Sequence, residues 1–296
     1  MAPGAGSDGD LRPLLPRRDF LAAGVAGCAE AAISGHTARA EETVPPVDLH
    51  VHLDNSTIDK VVELGQQRGV RFGIVEHAGT KENKYPTVLS NDDELGRYLA
   101  MLDGKGVYRG VQTEWHDWPG CFSRQAVARL DYVLTDAMTF PGKDGRRVKL
   151  WEKDAPERVD MSNPQAFMDR YVDWYLAIIR QQPIDVLANV SWLPPSLAEQ
   201  YEVLWTAERI KQVVAAAVKH GLAIEISSSY RLPKLYFLEI AKSGRAKFTF
   251  GSNGRYPNMG KLDYSLDMAR QLRLAASDFF RPGVDGQKAV QRRWKS

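Results

Sequence analysis

Short apolar segments alternate along the chain with longer segments in which apolar residues recur every three or four positions. The short segments lack a strict apolar–polar alternation, which is typical of strands that are buried on both faces of a sheet. The longer segments carry helix signals, such as Asn163-Pro164 at one start, and Thr206 before and Gly221 after another. We therefore predict seven strands, at residues 47–52, 70–75, 107–112, 132–135, 184–188, 222–226 and 247–250.

The order of these elements predicts the class of fold. Strands that alternate with helices imply parallel pairing and right-handed crossovers, so the fold is of the α/β class. A closed or nearly closed barrel is favoured over an open sheet, and the pattern alone leaves both open. Residues 140–159 are polar and charged, and we interpret them as an inserted hairpin or lid within a domain that spans residues 41–296. The helices are expected at residues 58–68, at 92–102, from 164, from 207 and near 263–274.

The first 40 residues differ from the rest and predict an export signal. The charged segment Arg17-Arg18-Asp19-Phe20-Leu21 precedes a small, mostly apolar run that ends in Ala38-Arg39-Ala40. This segment resembles a twin-arginine leader, so we expect a cleaved signal over residues 1–40 and a periplasmic or extracellular protein. A disordered basic tail is the alternative. The residues before Cys28 also resemble a lipoprotein cleavage box, which would place a lipid anchor on that cysteine.

Composition narrows the classes of function. The 296 residues are 44% hydrophobic and 26% charged, with a net charge of +2. This balance indicates neither a nucleic-acid groove nor an acidic tail, so we expect no nucleic-acid partner. No run of 18 or more apolar residues is present in the sequence, so we expect no transmembrane segment.

Polar side chains gather at the ends of the predicted strands. His50 and His52 end the first strand, and because residues i and i+2 of a strand point the same way, both imidazoles can reach one metal ion. In a parallel barrel the carboxyl ends of all strands meet on one face, where active sites lie. The number of such positions favours a metal pocket over a pair of ordinary surface or core histidines. The further polar residues at strand ends are His77, Gln112, Glu114, Asp136, Asn189, Ser227, Asn253 and Arg255.

These motifs resemble those of the polymerase and histidinol phosphatase (PHP) family of metal-dependent phosphoesterases, over nearly all of the chain after residue 40. Asp48-Leu49-His50-Val51-His52 looks like the opening motif of that family, and Ile74-Val75-Glu76-His77 is similar to its Thr-Asp-His strand end. The resemblance implies a distorted seven-stranded (β/α) barrel, a PHP-like fold, and a small, phosphorylated substrate. Further matches in the same order are Gly110-Val111-Gln112, Asp185-Val186-Leu187-Ala188-Asn189 and Phe250-Gly251-Ser252-Asn253-Gly254-Arg255.

Several metal-ligand positions of the family carry other residues in this chain. Gln112 and Asn253 stand where the family has carboxylates, and Met138, Asn189 and Arg255 stand where it has histidines. Amide oxygens bind zinc, manganese or iron more weakly than carboxylates or imidazoles do, and a guanidinium repels a neighbouring cation. The resemblance therefore implies at most one divalent metal (zinc, manganese or iron), or none.

Two interpretations of the pocket follow. In the first, the protein is a metal-dependent hydrolase of phosphate esters in which His50, His52 and Glu114 hold one metal. Glu114 would be a ligand or the general base, and Arg255 would clamp the phosphate. In the second, the protein is a non-catalytic, metal-free binding protein in which Arg255 and the histidines bind an anion or another ligand. A solvated loop is the alternative for Glu114 and His116. The other pocket-lining residues would be His77, Gln112, His116, Met138, Asn189 and Asn253.

Overall fold

The computed structural model describes residues 46–294, and the predicted export signal and Cys28 lie outside this range. The strands are Val47–Val51 (β1), Arg71–Ala78 (β2), Val88–Leu89 (β3), Tyr108–Thr113 (β4), Tyr132–Thr135 (β5), Thr139–Pro141 (β6), Arg147–Lys149 (β7), Val186–Leu187 (β8), Ala223–Ser227 (β9) and Lys247–Gly251 (β10). The α-helices are Ile58–Arg68 (α1), Asp92–Leu102 (α2), Arg124–Val127 (α3), Ala155–Arg158 (α4), Pro164–Gln181 (α5), Tyr201–Leu204 (α6), Ala207–His220 (α7), Leu235–Ser243 (α8), Asp263–Gln271 (α9) and Ala289–Arg293 (α10).

Seven parallel strands form a closed barrel in the order β1-β2-β4-β5-β8-β9-β10. The barrel closes because β1 pairs with β10, through Asp48 and Phe250, and also with β2, through Val47 and Arg71. The register between β1 and β2 shifts between Asp48 and Val51, which is the irregularity that a β-bulge produces beside many active sites. Each predicted strand corresponds to one barrel strand, so the predicted seven-stranded α/β barrel is confirmed.

The long helices begin and end where the sequence signals place them. The side chain of Asn163 accepts hydrogen bonds from the first turn of α5, and that of Thr206 accepts one at the start of α7. Gly69 and Gly221 end α1 and α7 in the left-handed conformation that glycine adopts without strain. Helix α8 lacks such a signal and was not predicted, because the side chain of its N-cap residue, Lys234, does not cap the first turn. Among residues 46–294, no helix is long and apolar enough to cross a bilayer.

Residues 139–149 form an antiparallel hairpin, in which β6 pairs with β7. Two cations of β7 attach this hairpin to the neighbouring loops. Arg147 donates to the carboxylate of Asp117 at 3.1 Å, and the Nζ of Lys149 donates to the carbonyl oxygen of Asn83 at 2.7 Å. The hairpin is therefore held against the loops that follow β2 and β4.

A small apolar cluster fills part of the barrel and leaves the rest for polar side chains. At its centre, the hydroxyl of Tyr132 donates to the carbonyl oxygen of Leu49 at 2.6 Å. Gly110 makes room for this ring, because a Cβ at that position would lie 2.5 Å from Cζ of Tyr132. A much larger apolar core lies between the strands and the surrounding helices. The interior cluster consists of Leu49, Val75, Tyr132, Leu134, Val186, Ala188 and Ala223.

Candidate functional site

Buried ionisable side chains collect at the carboxyl ends of the barrel strands. Their burial is unusual, because charged side chains are rarely removed from water unless they are paired or bind an ion. Each of the following is at most 5% exposed: Asp48, His50, His52, Glu76, His77, Glu114, Asp136 and Glu225. The convergence of strand ends that the sequence predicts is thus present in the structure.

Asp48 fixes the backbone around the two histidines of β1. One carboxylate oxygen accepts from the backbone N–H groups of His50 at 3.1 Å and Ser252 at 2.9 Å. The other accepts from the hydroxyl of Ser252 at 2.5 Å and the N–H of Gly260 at 2.9 Å. The end of β1 and the loop after β10 are therefore held together by one buried side chain.

Both ring nitrogens of His50 are engaged by other side chains. Nδ1 lies 2.7 Å from a carboxylate oxygen of Glu225, and Nε2 lies 2.9 Å from the side-chain carbonyl oxygen of Gln112. The amide nitrogen of Gln112 donates to Asp136 at 3.4 Å, as does that of Asn189 at 3.0 Å, which keeps the Gln112 carbonyl directed at His50. Burial lowers the pKa of His50, but Glu225 and the Gln112 contact outweigh burial and raise that pKa above its usual value. Both ring nitrogens of His50 are therefore occupied by hydrogen-bonding side chains.

His52, Asp54 and Glu76 form the one metal-type group of three that the described residues contain. Ligand atoms from the three residues all lie within 4.8 Å of one another. Nδ1 and Nε2 of His52, Oδ1 of Asp54 and Oε2 of Glu76 are buried and have no hydrogen-bond partner among the described residues. The second oxygen of each carboxylate is engaged: Asp54 accepts from Nε of Arg255 at 2.6 Å, and Glu76 accepts from the N–H of Leu53 at 3.1 Å.

The protonation of this group suits a cation. Burial lowers the pKa of His52 well below its usual value, and the neighbouring His50, His77 and Arg255 lower it further, so the ring is neutral and keeps a lone pair. Burial, together with the neighbouring Asp54, raises the pKa of Glu76 to about 7 and outweighs the N–H of Leu53 and the charge of Arg255, which both lower it. A divalent ion would satisfy the unpartnered atoms and stabilise the ionised form of Glu76. The donor set therefore fits a metal.

A second pair, His77 and Glu114, lies beside this group. Nδ1 of His77 lies 2.8 Å from Oε1 of Glu114, whose other oxygen accepts from the hydroxyl of Tyr85 at 3.0 Å. Burial raises the pKa of Glu114, but the hydrogen bonds from His77 and Tyr85 outweigh it, so that pKa lies below its usual value. The ring of His77 stacks between those of Tyr85 and His52, with centroids 3.5 and 4.9 Å away. Nε2 of His77 is buried and has no hydrogen-bond partner in the part of the chain that the structure describes.

The predicted metal residues are divided between these clusters. His52 belongs to the group with Asp54 and Glu76, whereas His50 is paired with Glu225 and Glu114 is paired with His77. His50, His52 and Glu114 therefore do not meet as one set of three ligands.

His116, predicted to line the pocket, is exposed instead. Its ring packs near Trp115 and Trp174, with centroids 4.6 and 6.3 Å away. Strand β4 ends at Thr113, so the alternation of side chains along the strand does not extend to His116 and does not direct it into the pocket.

The remaining predicted residues lie around the clusters. Asn189 and Gln112 both donate to Asp136, and the backbone N–H of Met138 donates to the same carboxylate at 3.0 Å. The side chain of Met138 belongs to the apolar core. Arg255 donates from Nη1 to the side-chain oxygen of Asn253 at 3.3 Å.

Glu76, Asp54 and Glu225 were not among the predicted site residues. Glu76 precedes His77 and occupies the aspartate position of the motif quoted above, so the motif held the signal. Asp54 lies two residues after His52, in a turn, and its own φ is 27°. The rule that residues i and i+2 share a face would have included Asp54 if it had been extended past the end of the strand. Glu225 lies two residues before Ser227 on β9 and shares its face.

Gly251 makes the buried position of Glu225 possible. A Cβ on Gly251 would lie 2.5 Å from Cδ of Glu225. Gly251 is therefore needed because only a residue without a side chain leaves room for the carboxylate of Glu225, which pairs with His50.

The chain is similar in structure to a histidinol phosphate phosphatase from Lactococcus lactis subsp. lactis Il1403, whose crystal structure contains zinc, L-histidinol and phosphate. The TM-score is 0.51 at 14% sequence identity, and the match covers 78% of this chain and 93% of that chain. This chain shares the barrel fold of that phosphatase. A second match, to an HpcH/HpaI aldolase from Desulfitobacterium hafniense DCB-2, has a TM-score of 0.33 at 11% identity, over 70% of this chain and 86% of that one. No family model and no curated protein matches the chain.

Proposed function

We propose that the protein is a hydrolase of phosphate esters that uses one divalent metal held by His52, Asp54 and Glu76. The proposal is supported above all by both ring nitrogens of His52 and one oxygen each of Asp54 and Glu76, which are buried close together and have no hydrogen-bond partner among residues 46–294. Buried polar atoms without partners are costly, so their grouping favours an ion as the missing partner. The phosphatase with the same fold binds zinc and phosphate, which supports the class of substrate.

One imidazole and two carboxylates are ligands that suit zinc, manganese or iron. Such a metal, when bound, would supply Lewis-acid activation of water and of the phosphoryl oxygens. The chain positions the two carboxylates in advance, because Arg255 holds one oxygen of Asp54 and the N–H of Leu53 holds one oxygen of Glu76. Partners of this kind orient ligands and are commonly required for metal affinity.

His77 is the group we assign to proton transfer. Glu114 accepts from Nδ1 of His77, and the tautomer with its proton on Nδ1 has its lone pair on Nε2, which has no partner among the described residues. A carboxylate that orients an imidazole in this way is a recurring arrangement for a general base. Glu114 acts through His77 and is a positioning residue in this scheme.

Arg255 is the residue we assign to the substrate phosphate. Its Nε and Nη1 are engaged by Asp54 and Asn253, whereas Nη2 makes no hydrogen bond to the described residues, and the side chain is 41% exposed. A guanidinium held in this way can bind a phosphate without losing much conformational freedom.

A metal-free anion-binding protein fits these contacts less well. His50, His77 and Arg255 each have a carboxylate as a partner, namely Glu225, Glu114 and Asp54. These carboxylates repel an anion unless a cation lies among them.

Metal content and hydrolysis together test the proposal. Protein purified without chelator should contain about one equivalent of transition metal and should hydrolyse p-nitrophenyl phosphate. His52→Ala and Glu76→Gln should each remove the metal and lower kcat by about 100-fold or more, since losing a ligand costs more than losing an outer partner. His116→Ala is the matched control, because His116 is exposed and outside the group. Less than about 0.2 equivalents of metal in the wild-type protein, or a content that His52→Ala leaves unchanged, would overturn the metal site.

Export through the twin-arginine route is part of the same proposal and rests on the motif in residues 17–21. Fractionation of cells that produce the full chain should place it in the periplasm or the medium. Replacing Arg17 and Arg18 by lysine should retain it in the cytoplasm, and an unchanged distribution would contradict the proposal.

A further inference from the structure

A basic pocket lies beside the metal group, at the carboxyl ends of β9 and β10 and at the start of α9. Its volume is about 470 Å³, which is within the range of small-molecule sites. Three cations line it, Arg231, Arg255 and Lys261, against one acid, Asp263. The hydroxyls of Ser228 and Ser229 add neutral hydrogen-bonding groups to the lining.

Two of these cations are not neutralised by the described residues. The guanidinium of Arg231 lies 5.0 Å from the centre of the Tyr264 ring and forms no ion pair with any residue that the structure describes. The Nζ of Lys261 donates to the side-chain oxygen of Asn258 at 2.8 Å, which is a neutral partner. Two positive charges without a carboxylate partner among residues 46–294 therefore line one cavity of a chain whose net charge is only +2.

Arg255 joins the basic pocket to the metal group. It lines the pocket, and its Nε also donates to Asp54 of that group at 2.6 Å. A ligand that reaches from one site to the other would therefore pass this guanidinium.

The backbone of the pocket is strained at two of its lining residues. Arg231 has a φ of 53° and Asn253 a φ of 46°, in the left-handed region that residues other than glycine adopt at a cost. Strain of this kind clusters at ligand sites. The strained residue Arg231 also has its guanidinium over the ring of Tyr264. The hydroxyl of Tyr264 in turn donates to the carbonyl oxygen of Pro233 at 2.7 Å.

We propose that the basic pocket binds a second anionic group of the substrate, held by Arg231 and Lys261, while the ester to be hydrolysed lies at the metal group beside Arg255. This inference rests on the proposed function and adds a substrate class to it, namely phosphate esters with a second phosphate or a carboxylate. Arginine and lysine side chains bind both of these groups through charge-assisted hydrogen bonds.

Pairs of ligands that differ by one anionic group test whether the basic pocket binds a second anion of the substrate. We would compare fructose 1,6-bisphosphate with fructose 6-phosphate for a second phosphate, and 3-phosphoglycerate with glycerol 3-phosphate for a carboxylate. The variant Arg231→Gln/Lys261→Gln should weaken the two-anion ligand of a pair by about 10- to 100-fold and change its one-anion partner by less than about 3-fold. Arg245→Gln/Lys211→Gln is the matched control, because both residues are exposed and Arg245 shares the left-handed φ, at 63°.

Two readouts separate the pocket from the proposed reaction. Calorimetry on the metal-free His52→Ala protein measures the binding of these ligands without turnover. Steady-state KM and kcat values report on the same ligands during hydrolysis. A loss of two-anion binding in calorimetry supports the pocket even if no ester is hydrolysed, in which case only the proposed function fails. Equal weakening of one-anion and two-anion ligands, or no weakening of either, would overturn the pocket and leave the hydrolase proposal standing.

Discussion

The side-chain carbonyl oxygen of Gln112 lies 2.9 Å from Nε2 of His50, so a neutral amide occupies the contact that a metal ion would otherwise make with this imidazole. The opposite nitrogen is held by Glu225 at 2.7 Å. The barrel therefore keeps His50 as a hydrogen-bonded component of its interior, while neither ring nitrogen of His52, two residues later, has a hydrogen-bond partner within residues 46–294. The two histidines of one motif thus have different roles.

Gln112→Ala tests this division. The substitution leaves Nε2 of His50 buried without an acceptor, which should lower the free energy of unfolding by about 1–3 kcal/mol. Metal content should stay at the wild-type value, because Gln112 belongs to no group of metal ligands among the described residues. Denaturant unfolding and metal analysis on the same preparation check both expectations. A loss of metal with unchanged stability would place the ion at His50.

Gly251→Ala tests the space that Glu225 occupies. The added Cβ would lie 2.5 Å from Cδ of Glu225, so the carboxylate must move away from His50. Overpacking of this kind should lower the free energy of unfolding by about 1–3 kcal/mol, as measured by urea denaturation. Gly120→Ala is the control, because no atom outside its chain neighbours lies within 4 Å of a Cβ there. Equal stabilities of the two variants would show that Glu225 is not confined by this glycine.

Asp185 predicts a pH dependence of stability that is independent of the metal group. Its carboxylate accepts from the N–H groups of Val133 at 2.9 Å and Ala289 at 2.6 Å, and burial raises its pKa from 3.8 to about 6. Between these two values Asp185 binds more protons in the folded state than in the unfolded state, so its contribution to the free energy of unfolding falls as the pH rises from 4 to 6. The contribution is about 3 kcal/mol at most, since one pKa unit corresponds to about 1.4 kcal/mol.

Urea unfolding at a series of pH values measures this slope. Asp185→Asn removes one titrating group, so the fall between pH 4 and 6 should be smaller in the variant than in the wild-type protein, whatever its absolute stability. Asp173→Asn, at an exposed position of α5, should keep the wild-type slope. A wild-type slope in Asp185→Asn would assign the pH dependence to other groups.

The sequence predicts the barrel well because its signals are local. Caps such as Thr206 and Asn163, and the seven apolar runs, are each specified by a few neighbouring residues. The face on which the site lies follows from the same pattern, since the ends of parallel strands converge.

The partners within the site could not be predicted in the same way. Whether Glu114 meets His50 or His77 depends on strand register and on the hydroxyl of Tyr85, which comes from a different loop. Asp54 enters the site through a turn with a positive φ, beyond the strand alternation that located His52. Spacing along one strand predicts which side chains share a face, whereas pairing between strands requires the packed structure.

The pair of Glu114 and His77 yields the most direct test of the proposed reaction. His77→Gln removes the assigned base and should lower kcat for p-nitrophenyl phosphate by about 100- to 10,000-fold. Glu114→Gln keeps a side chain of the same size but holds the ring less firmly, so kcat should fall by about 10- to 100-fold, with KM and metal content unchanged. Because Glu114 acts through His77, the double variant should be no slower than His77→Gln alone. If the losses of kcat from the two single variants add in full in the double variant, Glu114 acts on the substrate independently of His77. If Glu114→Gln loses its metal, Glu114 is a metal ligand, as the sequence predicted.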